Sequence, residues 1–108
     1  MKIPGLVDLQ VNGYKGISFS SVDLTEADFI QASRELFQAG TSAFLAAVPT
    51  SSPQVYQRNL PLMAAAMETD DLRGRVLGIH IEGPFISPEI GYRGAHNPKM
   101  VIKPDIDL

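Results

Sequence analysis

The chain lacks cysteine altogether. With no thiol there is no disulfide framework, no thiolate metal site and no cysteine nucleophile. It also lacks a long apolar run: nothing approaches the roughly 20 consecutive apolar residues needed to cross a bilayer. The Met-Lys-Ile-Pro start does not show the charged-then-apolar layout of a signal peptide. Nor is there a surplus of positive charge. Lys and Arg number 9 against 12 Asp and Glu, a formal net charge of −3. Neither nucleic acid nor an anionic membrane is therefore expected as a partner, because both need clustered cations. Repeats, low-complexity tracts and charge blocks are missing too. The 108 residues that remain to be explained are 44% hydrophobic and 19% charged. That is too apolar for a disordered chain and sufficient for a packed core. The expectation is a soluble, cytoplasmic protein.

Short strand-like runs alternate with longer helical ones. Residues 5–11 read as a first strand, opened by Pro4-Gly5 and stopped by Asn12-Gly13. Alternation would put Leu6, Asp8 and Gln10 on one face and Val7, Leu9 and Val11 on the other. That pattern implies a polar site on the first side and covering helices on the second. Residues 25–39 read as a helix. Thr25 and Asp28 make a Thr-x-x-Asp capping box, and Phe29, Ile30, Ser33, Leu36 and Phe37 make one stripe. Gly40 follows where a left-handed C-terminal residue is usual. Residues 42–48, small and apolar and ended by Pro49, read as a strand buried on both faces. Ser52-Pro53 opens a second helix with Tyr56, Leu60, Met63 and Met67 along one side. Pro61 predicts a kink or break near residues 57–60, and Asp70-Asp71 a stop. Residues 75–81 read as a third strand that ends at Glu82-Gly83-Pro84. From Phe85 onward the chain is rich in Pro and Gly, as expected of a long functional loop.

The order β-α-β-α-β plus a long loop predicts an α/β fold with parallel strands and right-handed crossovers. Three strands are too few to close a (β/α)8 barrel, which takes about 250 residues. An open three-stranded parallel sheet would leave both edges and much apolar surface bare. Residues 1–108 therefore read as a fragment, to be completed by further chain or by a partner.

Three stretches could carry chemistry. In residues 78–85, His80 and Glu82 stand two apart on a strand, so both point to one face. They lie at the C-terminal strand end, where barrel enzymes place active groups. A carboxylate beside a histidine suits a metal ligand or an acid/base; the alternative is a hydrogen-bonded pair that supports the loop. In residues 92–98, Arg93 could grip a phosphate while His96 and Asn97 orient hydroxyls. The alternative there is a solvated loop with a local Asn-Pro turn. Gln10 and Asn12 share a face at the end of the first strand, but amides are poor ligands for zinc, and Asn12-Gly13 is also ordinary turn chemistry. Other signals fail. No dinucleotide or P-loop glycine pattern follows a strand, and Ser51-Ser52, without a histidine partner, reads as a helix cap.

Taken in order, residues 4–13 (Pro-Gly-Leu-Val-Asp-Leu-Gln-Val-Asn-Gly), 40–45 (Gly-Thr-Ser-Ala-Phe-Leu), 78–85 (Gly-Ile-His-Ile-Glu-Gly-Pro-Phe) and 94–98 (Gly-Ala-His-Asn-Pro) resemble the N-acetylglucosamine-6-phosphate deacetylase family of the amidohydrolase superfamily. Four collinear motifs covering nearly the whole chain are far more specific than any one alone. The resemblance implies a (β/α)8 TIM barrel carrying a small β-sandwich built from both chain ends. Residues 1–108 would be its N-terminal part, the first three barrel strands and no complete domain. Glu82 would be the carboxylate ligand of one divalent metal ion, zinc or iron. Ala95 and His96 would contact the amino-sugar phosphate substrate, with Gln10, Asn12 and His80 as candidates to line the pocket.

Two further metal histidines and the aspartate that acts as general base and acid would lie downstream, so no residue of this chain is assigned as catalytic. Many amidohydrolases carry His-x-His at the end of the first strand; Gln10-Val11-Asn12 here points to a single metal. The implied reaction is metal-assisted hydrolysis of N-acetylglucosamine 6-phosphate to glucosamine 6-phosphate and acetate. The piece alone is expected to be inactive, and the intact protein a homo-oligomer. Two alternatives stand beside this one. The chain could come from an amidohydrolase acting on another N-acetyl amino sugar, or be a non-catalytic sugar-phosphate-binding or assembly module derived from the same fold.

Overall fold

The computed structural model describes residues 2–107. Along the chain run β1 (Leu6–Val11), a hairpin of β2 (Gly13–Tyr14) and β3 (Ile17–Ser18), α1 (Glu26–Gln38), β4 (Thr41–Pro49), α2 (Pro53–Met67) and β5 (Val76–Glu82). β1, β4 and β5 form one parallel sheet in the order β1-β4-β5. The mixed α/β character and the parallel pairing are those that the alternating periods predict. Among the described residues the sheet is open, with β1 and β5 as its edges.

Local signals start and stop the elements. The Thr25 hydroxyl accepts the Asp28 N–H at 3.1 Å, and Asp28 Oδ2 accepts the Thr25 N–H at 3.1 Å, so the capping box forms as expected. Gly40, just past α1, has φ +108°, a conformation open to glycine and strained for other residues. Pro53 stands at the first turn of α2, where its missing N–H costs nothing.

The core lies between the sheet and the two helices. Phe44, Ala46 and Val48 of β4 alternate toward the helices and are fully buried against Phe29, Ala32 and Leu36 of α1 and Met63 and Ala66 of α2. Phe19 meets Phe29 edge-on, with ring centroids 4.8 Å apart, and stacks with Phe44 at 6.4 Å. Asn59, also buried, donates to the carbonyls of Phe19 and Ser21 at 3.0 and 2.8 Å and so ties the segment after β3 to α2. A buried amide is tolerable only with such partners.

Four features depart from the expectations. The chain after β1 does not simply turn; it forms the β2–β3 hairpin, because Lys15 and Gly16 both take positive φ (46° and 87°) at the two-residue turn. α2 runs unbroken through Pro61. Pro61 and Gln57 face solvent, where water can take the Gln57 carbonyl that a proline leaves unbonded. α2 also stops at Met67, before Asp70-Asp71. Finally, among the described residues no helix covers the apolar side of β1. Val7 and Leu9 stay 57% and 65% exposed and only Val11 is buried, because α1 packs on β4 and on the hairpin.

Candidate functional site

Parallel register sets the level of the site. Pro49 is paired with Glu82 and Ala47 with His80, so Glu82 emerges where β4 and β5 both end. Residues 83–107 carry no helix or strand, yet they fold back on the sheet end, where the Ile102 N–H donates to the Pro84 carbonyl at 3.2 Å. This return brings His96 beside Glu82.

The Glu82 carboxylate is held from two sides. Gln10 Nε2 donates to Oε2 at 2.9 Å, and His96 Nε2 stands 3.3 Å from Oε1. Gln10 is itself fixed, because its backbone N–H bonds Asp8 Oδ1 at 3.0 Å beside a register shift in β1. On its other side the His96 ring meets Thr50, with Nδ1 2.8 Å from Oγ1, and the Thr50 hydroxyl donates to the Glu82 carbonyl at 3.2 Å. Beneath Thr50, the Ser51 N–H donates to the Tyr56 hydroxyl at 3.0 Å. Burial pushes the Tyr56 phenol above its ordinary value, only partly countered by that N–H, so it stays neutral and in place.

These groups surround an open cleft of about 440 Å³, a size suited to a small molecule. Gln10 and Asn12 come from the end of β1, Pro49 and Thr50 from the end of β4, Glu82 from β5, and Ala95, His96 and Asn97 from the loop. Amides, an imidazole and a carboxylate facing one space can orient hydroxyl and amide groups of a polar ligand.

Six positions singled out in the sequence thus converge: Gln10, Asn12, Glu82, Ala95, His96 and Asn97. His80 does not join them. It is exposed and absent from the cleft wall, because the two-residue spacing that gives it Glu82's face also sets it about 7 Å down the strand from the rim. Glu82 is bonded by Gln10 and approached by His96, not by His80. Arg93 turns aside as well, donating Nη1 to the Pro88 carbonyl at 3.0 Å. Thr50 and Pro49 were not foreseen. Their place directly at a C-terminal strand end is the signal that could have found them.

Glu82 fits one ligand of a divalent cation: a partly exposed carboxylate at a strand end, facing the cleft. The set is not complete, since no group of three or more His, Asp or Glu among the described residues could hold a metal.

No protein-family model matches the chain. Curated homologues include N-acetylglucosamine-6-phosphate deacetylases. That of Caenorhabditis elegans is 37% identical over 92% of the chain and that of Danio rerio 39% over 91%. An N-acetylgalactosamine-6-phosphate deacetylase of a Shewanella strain is 37% identical over 89%. The chain spans about a quarter of the length of these relatives, 24%, 24% and 23% respectively.

Solved structures give the same neighbours. The N-acetylglucosamine-6-phosphate deacetylase of Pasteurella multocida superposes with a TM-score of 0.82 over 96% of the chain and 26% of its own; at 23% identity this speaks for the fold alone. A mutant of the Mycobacterium smegmatis enzyme, in complex with N-acetyl-D-glucosamine-6-phosphate, matches with a TM-score of 0.76 and 30% identity over 95% of the chain and 25% of its own.

Proposed function

We propose that this chain is part of a metal-dependent deacetylase of N-acetylated amino-sugar 6-phosphates, with N-acetylglucosamine 6-phosphate as substrate. The observation that carries the reading is Glu82, set at the end of β5 and facing a cleft shared with His96 and Ala95, in a chain homologous over nearly its whole length to such enzymes. The parallel sheet with helices on one side only supports a further inference, that β1, β4 and β5 are an arc of a (β/α)8 wall. Bare β1 and β5 edges and the exposed Leu6, Val7 and Leu9 are what such an arc leaves for neighbouring strands. In this reading the intact protein is a cytoplasmic homo-oligomer. No helix among the described residues is long and apolar enough to cross a membrane.

Glu82 would be one ligand of a single divalent ion, zinc or iron, which when bound supplies Lewis acidity at the acetyl group. This chain's own residues bind and orient. Gln10 holds one carboxylate oxygen through its amide N–H, and the other lies 3.3 Å from His96 Nε2 at the cleft. His96 offers an imidazole nitrogen at the same rim, and Ala95 adds no bulk, so ligand atoms can approach the loop backbone. The described residues hold no complete coordination set, so the chain by itself would be inactive.

The test is Glu82→Gln in the deacetylase that carries this segment. Bound metal should fall to background and acetate release from N-acetylglucosamine 6-phosphate by more than about a hundredfold. Full metal content in the variant, by elemental analysis, would overturn the ligand role. The Shewanella relative supports a second reading, with the galactosamine epimer as substrate. Comparing acetate release from the two epimers at equal concentration separates them.

A further inference from the structure

Along β1 the pairing with β4 slips by one residue. Asp8 is level with Phe44 and Val11 with Ala46, so three steps on β1 match two on β4. The extra residue decides where Gln10 points. Unbroken pairing from Asp8 would set Gln10 level with Ala46. Neighbours at one level of a parallel sheet show their side chains to the same face, and Ala46 is fully buried on the helix side. With the extra residue, Val11 takes that level and enters the core, while Gln10 lines the cleft. A slip of one residue exchanges the two faces, and bulges beside functional sites re-aim side chains in this way. An opposite slip upstream, one step from Leu6 to Val7 against two from Thr41 to Ala43, balances it.

Asp8 stands at the start of this bulge. Its Oδ1 accepts the Gln10 N–H at 3.0 Å, the short i to i+2 bond that Asp and Asn make in turns. Gln10 Nε2 in turn donates to Glu82 Oε2 at 2.9 Å. β1 and β5 lie on either side of β4, about 9–10 Å apart at ordinary strand spacing. The two side chains can span that gap only when both point to the same face.

We propose that Asp8 is a positioning residue: it holds the β1 bulge that aims the Gln10 amide at Glu82. One oxygen of the Glu82 carboxylate is thereby fixed, and the group keeps one orientation at the cleft. The inference deepens the reading of Glu82 as the ligand-holding carboxylate and rests on it. Asp8 acts through Gln10 and is absent from the cleft wall.

The experiment uses the 108-residue chain with 15N-labelled glutamine and no metal. Gln10 carries two reporters. Its backbone N–H reads the bond to Asp8, and its side-chain amide reads the bond to Glu82. Glu82→Ala gives the signal of a Gln10 amide without its partner. In Asp8→Ala the side-chain amide should move from the parent position to that of Glu82→Ala. Hydrogen exchange of the Gln10 N–H should quicken about tenfold, as expected for one lost bond to a charged acceptor. Asp8→Asn keeps a carbonyl oxygen at the same reach and should leave both reporters near the parent. A role in general stability would instead speed exchange throughout the core and leave the Gln10 side-chain amide in place while the chain is folded.

An Asp8→Ala side-chain amide at the parent position overturns the proposal, and so does an Asp8→Asn amide at the Glu82→Ala position. Should Asp8→Ala not fold, Asp8→Glu takes its place. It has the same charge on a stem one methylene too long for the i to i+2 bond, so the same displacement is expected and the parent position ends the proposal. The readout uses neither metal nor substrate. It can therefore fail while the Glu82→Gln result stands, or succeed while that result fails.

Discussion

The middle of β4 and its C-terminal end are held by different forces. In its middle the strand is kept by packing, with Phe44, Ala46 and Val48 fully buried between the sheet and two helices. From Pro49 to Ser51 it is kept by directed bonds: the Thr50 hydroxyl to the Glu82 carbonyl, the contact between that hydroxyl and the His96 ring, and the Ser51 N–H to the Tyr56 phenol. Packing is nondirectional and answers to volume. The rim answers to geometry, because hydrogen bonds weaken steeply as distance and angle depart from their optimum. The same strand thus supplies a rigid base and a tunable edge.

The contrast can be broken most sharply from the core side. Phe44→Ala should cost about 3–5 kcal/mol of stability, measured by chemical denaturation. A loss below about 1 kcal/mol would mean that the aromatic cluster with Phe19 and Phe29 does not hold this chain together. A smaller effect, but one read at the rim, should come from Gly83→Ala. Forcing a Cβ at φ +90° against Thr50 should cost about 1–3 kcal/mol. It should also shift the His96 ring signals, whereas Phe44→Ala should leave them in place in the folded chain.

The smallest effect sharpens the comparison far from both sites. Thr25→Ala, which opens the α1 capping box, should cost about 0.5–2 kcal/mol. The Thr25 hydroxyl, and after it the Thr25 N–H, hold the Asp28 carboxyl below its usual range. A carboxyl depressed in the folded state lends stability above its unfolded value, and that stability is lost as pH falls through the folded one. Stability of the parent chain should therefore decline on the acid side of about pH 4, and Thr25→Ala should flatten that decline. An identical acid limb in the variant would remove Asp28 from the account.

Much of the fold was legible because its signals are local. The Thr25–Asp28 box, Gly40 after α1, Pro53 at the start of α2 and the alternation of periods all act within one or two turns of chain. The hairpin was less so. Lys15-Gly16 is a weak turn signal, and its consequence, Phe19 entering the core, lies across the molecule. Pro61 misled because a proline's cost depends on whether the carbonyl it leaves unbonded faces water. The covering of β1 was misjudged for a related reason: alternation says which residues share a face, not whether a helix reaches it.

At the candidate site the same division holds. Position at a strand end marked Glu82, and the order of four motifs carried Ala95 and His96 with it. Spacing alone could not separate His80 from Glu82, since face and depth along a strand are different coordinates. Thr50 carries no motif. Its meaning comes from a partner 46 residues away in sequence.

By itself, then, the chain's sequence determined where elements begin and end, that the strands run parallel, and which short stretches carry polar chemistry. These depend on backbone preferences and on the period of apolar residues, which neighbours along the chain dictate. Tertiary structure alone decided that Gln10, Thr50, Glu82 and His96 meet, which ring nitrogen faces the cleft, and which apolar residues stay bare. Hydrogen bonds and burial between distant segments depend on distances of a few tenths of an ångström, and only the packed chain sets those.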